Sequence, residues 1–146
     1  MADREQTYKN HARFLPPFHF FVLPVLLANV VYAGRHIATR GASITTGWEF
    51  IVAFTLMFGI LLSRVQALAA QDRVIRLEMR LKLQQVLPAD LQAKIGDLST
   101  QHLVAMRFAS DAELPELVRG VLSGKLAKQK DIKQQIKNWQ ADWQRV

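Results

Sequence analysis

Four histidines and an absence of cysteine bound the chemistry open to this sequence. Without thiols there is no disulfide, no thiolate metal site and no cysteine nucleophile. His11 lies just before the first apolar run and His19 near its start, His36 follows it, and His102 stands far downstream. An ionisable group at bilayer depth is a functional candidate by default, and His19 is the one placed to ligate a haem or a chlorin. It has no second His at ligand spacing and no adjoining carboxylate. An interfacial imidazole bonded to backbone is therefore the preferred reading, and no cofactor is expected. Glu49, at the edge of the second apolar run, reads as an interfacial or helix-start carboxylate rather than a proton carrier. No GxGxxG, Walker, HExxH or GxSxG pattern occurs. The chain is expected not to be an enzyme.

Two apolar runs must position these groups. Phe14 to Ala33 supplies 20 residues without Asp, Glu, Lys or Arg, matching the roughly 20 that a helix needs to cross a ~30 Å hydrocarbon core. Pro16 and Pro17 suit a first turn, where backbone N–H groups have no helical partner. Pro24 falls inside and should free the Phe20 carbonyl, kinking the helix. The second run holds only 14 residues between Glu49 and Arg64. Taken from Trp48 to Gln66 it has 19 residues, or about 28 Å of helix. Trp48, Glu49 and Arg64 are then membrane anchors, the charged pair reaching out to head groups. Asn29 and Thr55 could bond between helices, and Ala28, Ala53 and Gly59 allow close approach.

Other readings of the runs are weaker. A cleaved leader would have Lys9 and Arg13 as its basic region but a poor cleavage site at Val31–Ala33, so the segment is expected to be retained. Two buried helices of a soluble domain would not call for this hairpin pattern. Helices lying flat on a membrane need a strongly polar face, which neither run has. Lys and Arg are biased across the spans: eight flank the outer ends (Arg4, Lys9, Arg13, Arg64, Arg73, Arg76, Arg80, Lys82) against Arg35 and Arg40 in the linker Gly34–Gly47. That bias puts both termini in the cytoplasm.

From Trp48 to Leu87 only Gly59 interrupts a helical pattern, which predicts one long helix leaving the membrane. Asp72–Arg76 and Glu78–Lys82 are i,i+4 pairs in the favourable order. Val65, Leu68, Ile75, Met79 and Val86 make an apolar stripe, widened by Val74, Leu77 and Leu81. So broad a face suits packing on other helices better than a clean two-stranded coil. Its cover could be the chain's own C-terminal helices, a second copy or another protein.

Beyond Pro88 the pattern is of short helices. Ser99 is placed to cap one, and Ser110–Glu113 (SDAE) reads as a capping box for another carrying Leu114, Leu117, Val118, Val121 and Leu122. Gly124 is a plausible stop. A last helix would carry Ile132, Ile136, Trp139 and Trp143 on one face, with Lys128, Lys130, Lys133 and Lys137 mostly on the other. Residues 64–146 hold 14 Lys and Arg against nine Asp and Glu, within a formal charge of +7 for the chain. Basic flanks beside anionic lipid explain this. A nucleic-acid reader is the alternative, but Asn138 is the only base-reading side chain beside four lysines.

QTYKNHARFLPPFHFFVLPVLL, QDRVIRLEMRLKL, and LVAMRFASDAELPELV followed by IKQQIKNW resemble a family of small bacterial membrane proteins, domain-of-unknown-function family 6526. The resemblance covers nearly the whole chain and implies two spans followed by a cytoplasmic helical region. It brings no activity, ligand or catalytic residue.

The expected fold is all-α: a transmembrane hairpin (residues 1–65, spans near 14–33 and 48–66), a cytoplasmic helical extension (66–87) and a C-terminal helical module (88–146). The expected location is the bacterial inner membrane. The expected role is that of a non-catalytic subunit or scaffold of a larger membrane complex, with an energy-converting or photosynthetic complex as one host, or of a homo-oligomer. Val65, Leu68, Ile75, Met79, Trp139 and Trp143 are the expected partner interface. The rival roles are a membrane-tethered nucleic-acid binder and a pigment or haem protein using His19.

Overall fold

The computed structural model describes residues 7–8 and 15–142. The protein is all-helical, with no strand among these residues. Helix α1 spans Leu23–Arg40, α2 Ile44–Val86, α3 Ala89–Gln92, α4 Thr100–Met106, α5 Leu114–Leu122 and α6 Gln129–Gln135. They divide into two compact units. One runs through Leu68; the other takes up the chain from Ala69. Helix α2 supplies residues to both.

In the first unit, Pro24 disturbs the chain one turn earlier than its own position. With no N–H at Pro24, the Phe20 carbonyl loses its helical partner. The backbone responds with a π turn over Phe18–Val22, in which the Leu23 N–H bonds the Phe18 carbonyl. Pro24 then sits in the first turn of α1. The expected kink takes the form of this local widening.

Helix α1 does not stop near Ala33. It continues to Arg40 and ends at Gly41, whose φ of 85° lies in the left-handed region that glycine enters without penalty. Helix α2 starts three residues on. The Ser43 N–H bonds Thr46 Oγ1, and the Thr46 N–H bonds Ser43 Oγ, a reciprocal cap on its first turn. The expected linker Gly34–Gly47 is thus corrected to Gly41–Ser43. Gly34 itself lies within α1 and faces α2: a Cβ there would stand an ordinary 3.7 Å from the Phe50 ring. The helices run antiparallel, with Gly34 near Phe50, His36 on Glu49 and Phe18 under Arg64. Ala33 and Ala53 are buried, allowing this approach. Gly59 faces open space and Ala28 is exposed, so neither serves it.

Both helices are long and apolar enough to cross a membrane. Leu27 and Val31 on α1, and Ile51, Phe54 and Phe58 on α2, are each more than half exposed. Apolar surface on this scale is unfavourable in water.

The second unit is built on one face of the lower part of α2. Ile75, Met79, Leu83 and Leu87 recur every fourth residue and are all buried. Leu103 and Met106 of α4, Phe108, Leu114 and Val118 of α5, and Ile132 of α6 close the same core. Pro88 ends α2, and Gln92 Nε2 donates to the Gln84 and Leu87 carbonyls that the helix end leaves open. Ser99 and His102 form a full capping box on α4. At Ser110–Glu113 only part of the expected box forms. The Glu113 carboxylate takes the Ser110 N–H, and the Ser110 hydroxyl donates to the same carboxylate rather than capping.

Helix α6 ends at Gln135, and Ile136 is already extended. The expected continuation through Trp139 is corrected by tertiary bonds. Glu113 takes the N–H groups of Lys137 and Asn138, and the Phe108 carbonyl takes that of Gln140 at 2.7 Å. Trp139 then pairs with Ala109 as an isolated bridge.

Candidate functional site

At the closed end of the hairpin, α1 and α2 bring together polar groups that stand 13 residues apart. His36 Nδ1 lies 2.7 Å from Glu49 Oε2, with side chains 17% and 44% exposed. Tyr32, one turn before His36, stacks on it at 5.8 Å. Trp48 is well exposed beside this end. Glu49 therefore has an interhelical partner, which its reading as a lone anchor did not contain. The missed signal was the near-symmetric placing of His36 and Glu49 about Gly41–Ser43, which becomes legible once both helices are carried to that turn.

At the open end, His19 Nδ1 contacts the Leu15 backbone, 3.1 Å from its nitrogen and 3.0 Å from its oxygen. The ring of Phe18 meets the imidazole edge-on. This is the geometry of an imidazole held by local backbone. Arg64 lies over the Phe18 ring at 5.8 Å, so its side chain packs on the turn that leads into α1. His11 and Trp143 lie outside the described residues. No three His, Asp or Glu side chains converge for a metal among the described residues.

The expected partner residues separate into different environments. Val65 and Leu68 are exposed on α2. Ile75 and Met79 are buried, 5% and 4% exposed, in the core that α4, α5 and α6 complete. The chain's own helices cover them, because their four-residue spacing faces the C-terminal module. Trp139 is partly buried on Phe108, ring centroids 4.8 Å apart. A different set, Val74, Leu77 and Leu81, remains more than half exposed on the same helix.

The short α6 also changes the basic face. Lys128 is its N-cap and Lys137 lies past its end. Lys133 sits over the Phe108 ring at 5.6 Å. The four lysines thus do not line one face of a recognition helix. Beside them lies an open groove of about 650 Å³ between α5 and the segment after α6, lined by Glu113, Glu116, Arg119, Lys125 and Lys137 among others. Burial raises the Glu113 pKa, but the Ser110 hydroxyl and the N–H groups of Lys137, Asn138 and Ser110 outweigh it and hold the carboxyl below its ordinary value. Its oxygens are taken up by the Ser110 hydroxyl and by backbone N–H groups, so it is a structural clip.

These features define a helical protein with an apolar two-helix hairpin and a small helical unit. The chain belongs to the family of unknown function DUF6526, which matches it over residues 1–146. No curated protein and no solved structure matches it.

Proposed function

We propose that the protein is a non-catalytic membrane-anchored subunit or scaffold, held in the bacterial inner membrane by α1 and the first part of α2, with both termini cytoplasmic. The observation that carries this reading is the pair of long apolar helices whose Phe, Leu, Ile and Val side chains point outward. Such faces are stable in hydrocarbon, where the backbone of each helix is satisfied internally. The Lys and Arg bias supports the orientation. The docking role rests on the exposed Val74, Leu77 and Leu81, which lie among charged residues and outside the apolar runs.

The test is purification in a gentle detergent with identification of whatever accompanies the chain. Recovery in an assembly of defined stoichiometry supports the reading. Elution alone as a monomer, from membranes that retained it against alkaline carbonate, overturns the scaffold role. Release by carbonate overturns the membrane anchor.

A further inference from the structure

We propose that the exposed face of α2 beyond the membrane is a homodimer seam, at which two copies of this chain pair as a short parallel coiled coil. This deepens the scaffold reading and rests on its membrane anchor. Ala70, Val74, Leu77, Leu81 and Gln84 follow one another at spacings of 4, 3, 4 and 3, the heptad a/d pattern. All five are exposed, with Val74 at 53%, Leu77 at 58% and Leu81 at 61%. The buried residues Ile75, Met79 and Leu83 lie about 160° away round the helix, given 100° per residue. The chain's own core therefore leaves this seam uncovered. In the sequence the two faces merge into one broad stripe; burial of one isolates the other as a narrow seam.

The charges beside the seam select the occupant. In this register Val74 takes position a and Leu77 takes d, the pair that favours two strands in that heptad, followed by Leu81 at a and Gln84 at d. Arg73 then falls at g and Glu78 at e of the following heptad. In a parallel, in-register pair, g of one helix meets the next e of its twin, so Arg73 faces the Glu78 of the second copy, twice by symmetry. Arg80 at g would meet a neutral Gln85 at e. An acidic flank on one side and basic flanks on the other fit such a twin. An anionic lipid surface would call for basic flanks on both sides. Two copies inserted in one bilayer in the same sense can pair only in parallel, and confinement there raises their effective concentration. The seam is short, so it needs that confinement.

The native chain has no cysteine, so single cysteines report pairing without background. The full chain is purified, reconstituted alone in phosphatidylcholine–phosphatidylglycerol vesicles and oxidised. Val74→Cys, Leu77→Cys and Leu81→Cys should form disulfide-linked dimers. Asp72→Cys, on the opposite side of α2, should not. In the Leu77→Cys chain, adding Glu78→Arg should lower the dimer yield roughly fivefold, as two opposed like-charge pairs would. Adding Arg73→Glu to that variant should restore it. Equal yields at Asp72 and Leu77 indicate random collision and overturn the seam. So does an absence of seam cross-links in chain that resists carbonate extraction, which leaves the anchor standing. Carbonate-released chain overturns the anchor and, with it, the parallel pairing.

Discussion

Glu113 ties two stretches of chain, the 110–113 turn and residues 137–138, together through one carboxylate. Its oxygens take the Ser110 hydroxyl at 2.7 Å and the backbone N–H groups of Lys137 and Asn138 at 2.9 and 3.2 Å. Such bonds favour the ionised form, so its pKa is held below the ordinary value despite the opposing effect of burial. A depressed folded pKa contributes stability that is fully present above the unfolded value and is lost as pH falls through the folded one. Protection of the Lys137 and Asn138 amides should therefore be flat near neutrality and decline in acid, once corrected for intrinsic exchange. Glu113→Gln should remove that pH dependence and cost about 1 kcal/mol at neutral pH, since the amide oxygen still accepts and solvent screens the lost charge. An unchanged acid profile in the variant would show that another group controls the segment. Phe108 stabilises the same region by packing. It is fully buried, with Trp139 at 4.8 Å and the Arg107 guanidinium at 4.3 Å from its ring. Phe108→Ala should lower stability by about 3–5 kcal/mol in thermal unfolding of the full chain, because the cavity adds to the lost transfer term.

Among the elements, the α1–α2 hairpin depends on close approach near its turn. Gly34 has room for a methyl group, since a Cβ there would meet Phe50 at an ordinary 3.7 Å. Gly34→Ala should therefore leave thermal stability in detergent nearly unchanged. Gly34→Leu should force the ring aside and cost about 1–3 kcal/mol. Equal melting of both variants would mean that this contact does not set the helix spacing. The existence of the two apolar helices was legible because their hydropathy is a long, local signal. Their ends were less so. Gly34 reads as a break until Phe50 is placed opposite it, and Ser43 and Thr46 read as loop residues until they are seen to cap each other. The His36–Glu49 pair depends on the same register. Helix α6 shows the limit most clearly. Nothing in KNWQADW stops a helix locally; Glu113 and Phe108, more than 20 residues earlier in the chain, draw away its N–H groups. On α2, periodicity found a broad apolar face but not its division, since only tertiary packing decides that Ile75 and Met79 go inward while Leu77 stays out.

For the whole molecule, the proposed sidedness rests on charge and connection length together. In the sequence, eight Lys and Arg precede the first apolar run or follow the second, whereas Arg35 and Arg40 stand near the Gly41–Ser43 turn. Moving a short turn with two cations across the bilayer is less costly than moving an end that carries eight, together with every helix from α3 to α6. The turn should therefore face the periplasm and the second unit the cytoplasm. Ala42 lies in the turn, and Asp90 is exposed in α3. In intact bacterial cells, a membrane-impermeant maleimide should label Ala42→Cys and leave Asp90→Cys unmodified until the inner membrane is permeabilised. The reverse pattern would invert the orientation. Labelling of both in intact cells would mean that the two apolar helices do not form a membrane hairpin. Adding Lys to the turn, as Ala42→Lys with Ser43→Lys, narrows the bias without touching the apolar spans. Partial inversion in that variant, read by the same labelling at residue 90, would identify cation count as the determinant; an unchanged orientation would assign it to the mass of the helical unit that has to be held inside.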